Sequence, residues 1–165
     1  MAMNIIFLDV DGPLIPGRMY YSPHATFDKQ RGLFLWDHVA VGMIIELCKK
    51  HHAKVVFNTA HNERDSNLMY RKANLNGLSS EFIHEDCRTL YMINDSTKRE
   101  AISAWMSDHT HEYEYHVVID DDILNIKNHV KVDFNIGMTI ENFFEAEAYL
   151  QGLDPGQFTK SKLVI

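Results

Sequence analysis

The sequence predicts an α/β fold in three layers, with a central parallel sheet of about five strands between helices. Three observations predict it. Short apolar, β-branched runs alternate with segments of helical period along the chain. Several of those runs stop at an Asp or Thr rather than running into a tight hairpin turn. The chain has 165 residues, 45% hydrophobic and 24% charged, which suits one globular domain with one sizeable core over 1–165.

The elements follow in order. Ile5-Ile6-Phe7-Leu8 reads as a first buried strand that ends at Asp9-Val10-Asp11-Gly12. Residues 13–36 are irregular, rich in Pro, Gly and aromatics. Here Arg18-Met19-Tyr20-Tyr21 is expected to pair with Gly32-Leu33-Phe34-Leu35-Trp36 as a small hairpin flap. A helix is expected over 37–51, capped by Asp37, with Lys49, Lys50, His51 and His52 at its negative end. Lys54-Val55-Val56-Phe57-Asn58 is the second strand and stops at Thr59. A polar-faced helix is expected over 62–76, closed by Gly77. Residues 80–84 give a weak third strand. Thr97-Lys98-Arg99-Glu100 fits a capping box at the start of the next helix. His116-Val117-Val118-Ile119 is a strand that ends in Asp120-Asp121-Asp122, and Val130-Lys131-Val132-Asp133 is a last short one. A final helix spans 140–150, and the tail 152–165 is unassigned. Strands alternating with helices in this way make a Rossmann-like sheet, and right-handed crossovers bring the strand ends to one edge. Asp9, Asp11, Thr59 and Asp120 to Asp122 are thereby gathered into one crevice.

The bulk properties exclude some partners. A formal charge of -7 disfavours broad attachment to nucleic acid or anionic membrane, while leaving room for a local basic groove. No apolar run reaches the ~20 residues of a membrane helix, and Met1-Ala2-Met3-Asn4 lacks the basic start of a signal peptide. Cys48 and Cys87 have no metal-ligand spacing and read as buried reduced thiols, in keeping with a cytoplasmic setting. His109, His111 and His116 and the pair His51-His52 have no accompanying cysteine pattern, so they are expected as surface clusters rather than a zinc site.

Two aspartates one residue apart repel, and so call for a cation or a shared proton. Alone, the Asp-x-Asp-Gly segment would also suit a calcium-loop fragment or a turn. The set of strand-end residues is more specific. Asp9-Val10-Asp11-Gly12, Val55-Val56-Phe57-Asn58-Thr59, Lys98 at a helix start, and Val117-Val118-Ile119-Asp120-Asp121 resemble, in order and spacing, the four motifs of the haloacid dehalogenase (HAD) superfamily of phosphohydrolases. Pro13 departs from the Thr or Val found there in many members.

The resemblance implies an activity. It makes Asp9 the nucleophile of a phosphomonoester hydrolysis, forming an aspartyl-phosphate, and Asp11 the general acid and then base. Mg²⁺ would be held by Asp9, the backbone carbonyl of Asp11, and Asp121 before Asp120 among the last aspartates. Thr59 would hydrogen-bond a phosphoryl oxygen and Lys98 would neutralise charge. Gly12, Ala60, His61, Arg64 and Tyr20 are candidate substrate contacts, and Asp122 is placed to cap a following helix. The short 13–36 segment implies a capless or minimally capped member, open to large substrates.

The stretch from Val132 to Thr139 is similar to HAD domains of nucleic-acid repair proteins. It points to a phosphorylated small molecule or a nucleic-acid end as partner. Two further readings stand beside this one: a phosphate- or protein-binding module that keeps the fold without turnover, and a phosphotransferase.

Overall fold

The computed structural model describes residues 2–21, 27–28, 33–61 and 65–158. Its main sheet has five strands, all parallel: β1 (Met3–Leu8), β4 (Ala53–Phe57), β5 (Ile83–Arg88), β6 (Tyr113–Asp120) and β7 (His129–Lys131). Their order across the sheet is β5-β4-β1-β6-β7. A second, two-stranded antiparallel ribbon pairs β2 (Phe27–Asp28) with β3 (Leu33–Phe34). The helices are α1 (Gly17–Tyr20), α2 (His38–His51), α3 (Ser66–Leu75), α4 (Lys98–Asp108), α5 (Ile140–Leu150) and α6 (Pro155–Phe158). This is the three-layer, Rossmann-like arrangement that the alternating pattern predicts, and no large cap is evident among the described residues.

The pleat of β1 divides the core in two. Ile6 and Leu8 face one side, where they join Ile44 and Leu47 of α2, Met69 of α3 and Phe143, Ala146 and Leu150 of α5. Ile5 and Phe7 face the other, with Val56, Val118 and Ile102 and Trp105 of α4. A strand buried on both faces has no polar alternation, which is why Ile5 to Leu8 reads as an unbroken apolar run.

Helix boundaries follow the local chemistry. Asp37 accepts from the Val39 and Ala40 N–H groups and starts α2. Thr97 and Glu100 form the reciprocal capping box of α4, and Thr139 caps α5 with Asn142. Five expectations need correction. Residues 18–20 form a helical turn, α1, and not a flap strand; the hairpin is Phe27–Asp28 with Leu33–Phe34, later in the same segment. The third strand starts at Ile83, because Ser80–Phe82 winds into a 3-10 turn. No helix follows Asp122, since residues 123–126 are irregular. His109 and His116 are not surface clusters: His109 stacks on Trp105 with centroids 3.8 Å apart, and His116 meets the rings of Phe7 and Tyr113 edge-on. The helix expected from Asn62 starts at Ser66, with Asp65 as its cap; residues 62–64 lie outside the described residues.

The topology positions the site. The chain runs outward from β1 to β4 to β5, then returns to β6 on the other side of β1. Strand order thus reverses between β1 and β6, and in such sheets the crevice for ligands opens at the carboxyl ends of those two strands. Asp9 follows β1 and Asp120 ends β6.

Candidate active site

The sheet ladder carries on past the strand ends and fixes the backbone of the site. The Asp9 N–H donates to the Ile119 carbonyl at 3.0 Å, and the Asn58 N–H to the Leu8 carbonyl at 2.9 Å. Asp9, Thr59 and Asp120 are all buried, so their side chains are held by neighbours and not by water.

Lys98 is the hub. It is the first residue of α4, and only 9% of it is exposed. Its ammonium donates to Asp9 Oδ2 at 2.7 Å, Asp122 Oδ2 at 2.8 Å and Asp120 Oδ1 at 3.0 Å. It also lies 5.9 Å from the centre of the Tyr91 ring. A cation in the first turn of a helix meets the wrong end of the helix dipole. Three carboxylates offset that. Burial works against the charge, yet Asp9 and Asp120, with Asp122, hold the ammonium above the ordinary lysine range.

Even with Lys98, the carboxylates outnumber the cation. Asp120 is pushed up to about 7, by burial first and then by the Asp9 charge. Asp121 is pushed up to about 6 by burial and by Asp9 and Asp122. Asp120 Oδ2 is buried without a hydrogen-bond partner. An orphaned buried carboxylate oxygen is costly. Among the described residues, the group able to hold a metal ion is Asp9, Asp120 and Asp121, with one oxygen of each within 4.8 Å of the others. A hard divalent cation would suit that all-oxygen donor set and would offset the cost of the orphaned oxygen.

Gly12 shapes the loop beside this cluster. Its φ is +89°, and a Cβ there would lie 2.7 Å from Asp121 Cγ. Both the left-handed backbone and the approach of Asp121 demand glycine.

Asp11 has different surroundings. The Tyr20 hydroxyl donates to its Oδ1 at 2.8 Å, and His61 Nε2 lies 2.9 Å from its Oδ2. The His61 hydrogen bond, against partial burial and together with that of Tyr20, holds the Asp11 carboxyl below its ordinary range. Burial and the adjoining carboxylate raise the Tyr20 phenol to about 12, so it stays a donor. The His61 N–H also donates to Thr59 Oγ1 at 3.2 Å, leaving the Thr59 hydroxyl proton available to another acceptor.

The candidate residues thus fall into two neighbouring groups. Asp9, Lys98, Asp120, Asp121 and Asp122 form a charged cluster with Gly12 packed against it. Asp11, Tyr20, His61 and Thr59 form a polar one. Ala60 is exposed on the turn between Thr59 and His61, and Arg64 lies outside the described residues. Two members escape sequence reasoning. Asp122 joins Lys98, a role hidden by the ordinary use of Asp as a helix cap. Asn58 accepts from the Thr89 hydroxyl at 2.6 Å and leaves its buried Nδ2 without a partner. Its only signal is an amide at the end of an apolar strand.

Carboxylates at the switch point of a parallel sheet, a buried lysine at the start of α4, and a hydroxyl at the end of the neighbouring strand form the arrangement of a HAD-superfamily domain, a phosphohydrolase type of fold. The family model described as the HAD domain in Swiss Army Knife RNA repair proteins matches residues 5–143, and the chain belongs to that family. Comparison with curated proteins gives no match.

Proposed function

We propose that the protein is a Mg²⁺-dependent phosphomonoesterase that works through an aspartyl-phosphate on Asp9 and acts on nucleic-acid ends. One observation carries the catalytic part. The two aspartates at the end of β1 have unlike partners: Asp9 lies against the Lys98 ammonium, and Asp11 lies between a phenol and an imidazole. Unlike environments on paired carboxylates are how acid, base and nucleophile roles are divided. The RNA-repair description of the family supports a polynucleotide substrate.

Asp9, Asp120 and Asp121 would hold Mg²⁺, which supplies charge neutralisation to the phosphoryl oxygens. An Asp9 carboxylate oxygen attacks phosphorus, and the bond to the leaving oxygen breaks. Asp11 gives that oxygen its proton. Water then attacks phosphorus, passes its proton to Asp11, and displaces phosphate from Asp9. Lys98 balances the charge of Asp9 and the phosphoryl group, and the Thr59 hydroxyl donates to a phosphoryl oxygen. In the resting site Asp11 favours the carboxylate, the form needed in the second half of the cycle. An arriving phosphate dianion opposes that ionisation and favours the acid for the first half.

Release of inorganic phosphate from a phosphorylated oligoribonucleotide tests the reading. With Mg²⁺, the native protein turns over and Asp9→Asn is slower by about 10³-fold or more. Equal rates for the two would remove Asp9 as nucleophile.

A further inference from the structure

Three side chains meet at Asp11, and the catalytic cycle described above uses only one of them. Tyr20 comes from α1, inside the short flap segment, and His61 from the turn after β4. They approach opposite oxygens of one carboxyl group, at 2.8 Å and 2.9 Å. Neither is a core residue: Tyr20 is 42% exposed and the His61 side chain 28%. Their polar ends nevertheless both reach the Asp11 carboxyl.

We propose that His61 and Tyr20 are positioning residues that clamp the Asp11 carboxyl from both sides, so that its proton is delivered to the leaving oxygen and later accepted from water at a fixed place. The proposal rests on the phosphomonoesterase reading and deepens it. The chemistry of the two partners suits the task. A carboxylate needs donors and a carboxylic acid needs at least one acceptor. A phenol hydroxyl and an imidazole can each serve as either, according to where their proton sits. A lysine or arginine in the same place could only donate, and would hold Asp11 in its ionised form. The second contact of His61, its backbone N–H to Thr59 Oγ1, ties the turn that carries the imidazole to the residue expected to face the phosphoryl group. The clamp also ties the flap to the chemistry. The Gly17 N–H donates to the Phe134 carbonyl at 2.7 Å and Arg18 pairs with Asp37 at 2.9 Å, so α1 reaches Asp11 from two anchored points.

Kinetics on two leaving groups separate this role from substrate binding. Tyr20→Phe, His61→Ala and His61→Gln are compared with the native protein on an alkyl phosphate and on 4-nitrophenyl phosphate, with Mg²⁺. An alkoxide needs Asp11's proton to leave, whereas nitrophenolate does not. The clamp predicts that Tyr20→Phe and His61→Ala each lower kcat on the alkyl phosphate by about tenfold, with KM unchanged. The single-turnover burst of nitrophenolate keeps its native rate. His61→Gln, whose amide can both donate and accept, recovers part of the loss. Crystals of the Tyr20→Phe/His61→Ala double variant are expected to show Asp11 in more than one rotamer, beside an unaltered Asp9–Lys98 pair.

A raised KM at native kcat would overturn the clamp and make these residues substrate contacts. A loss in the nitrophenolate burst equal to the loss in kcat on the alkyl phosphate, or a single native Asp11 rotamer in the double variant, would overturn it too. Native rates on both substrates would do the same. If the native protein releases no phosphate, or Asp9→Asn matches it, the phosphomonoesterase reading falls and takes the clamp with it; the Asp9→Asn control tells that case from failure of the clamp alone.

Discussion

At the scale of single residues, the site is a problem in charge balance. Asp9, Asp120 and Asp122 converge on one ammonium, and Asp121 stands beside them. Removing one partner from a buried charge cluster is far costlier than the net worth of the cluster. Lys98→Met is therefore expected to lower stability in the absence of metal by about 3 kcal/mol. Mg²⁺ should restore part of it, because a second cation takes over the abandoned carboxylates. Urea unfolding of both proteins, with and without Mg²⁺, measures this.

The proton chemistry of the same carboxylates predicts a pH dependence. Asp120 and Asp121 are pushed up to about 7 and about 6, so the folded chain binds their protons more tightly than the unfolded chain does. Without metal, their contribution to stability is fully present below the ordinary carboxylate range and is lost as pH rises through those values. Burial lowers His116 and His129, which pulls the opposite way near their ordinary range. Metal binding isolates the carboxylates, since a ligand must be ionised. The rise in Tm caused by Mg²⁺ should be small at pH 5 and near its full size at pH 8. A rise that is the same at both pH values would contradict the assignment of these two aspartates as ligands.

At the scale of elements, the loop after β1 shows how local sequence and tertiary contact divide the work. Gly12 reads from sequence as a turn residue, and its +89° φ agrees. The second reason for glycine is the Asp121 carboxyl, which arrives from β6 more than a hundred residues away. Gly12→Ala is thus expected to weaken Mg²⁺ binding by roughly tenfold or more, the scale of a misplaced ligand shell, while the fold persists. Calorimetric titration with Mg²⁺ reads the affinity.

The same division explains what was legible. The strands β1, β4 and β6, the caps Asp37 and Thr97, and α5 at 140–150 follow from apolar runs and capping chemistry, which act locally. The strand-end carboxylates and Lys98 were visible because a parallel sheet gathers its strand ends at one edge. The flap was misread because Arg18 to Tyr21, apolar and aromatic enough for a strand, is held as a turn by tertiary bonds: Gly17 to Phe134, Arg18 to Asn135 and Tyr20 to Asp11. The pairing of His61 and Tyr20 with Asp11 has no sequence pattern, since the loop after β1, the helical turn α1 and the turn after β4 supply it. Asp122 looked like a cap because nothing local reveals that no helix follows.

At the scale of the whole molecule, the candidate site residues share one edge of the sheet. The order β5-β4-β1-β6-β7 places the switch point in the middle of the sheet, and both core layers lie below it. Beside α1 lies a hollow of about 750 Å³ whose lining includes Met19, Leu35, Trp36 and Met138. It is roomy enough for part of a substrate larger than a phosphate. A formal charge of -7 does not favour long-range attraction of a polyanion, so the proposed binding of a nucleic-acid end would rest on short-range contacts at this edge. No helix among the described residues is long and apolar enough to cross a membrane.

Asp9 is expected to become covalently phosphorylated during turnover. An acyl phosphate is reduced by borohydride to a primary alcohol, which converts the aspartate to homoserine and marks it for mass spectrometry. The protein is mixed with Mg²⁺ and a phosphorylated oligoribonucleotide, quenched during turnover, reduced and digested. The account predicts homoserine at position 9 in the native protein, and none in samples without substrate or in Asp9→Asn. Continued phosphate release with position 9 unmodified, or homoserine at another aspartate, would contradict it.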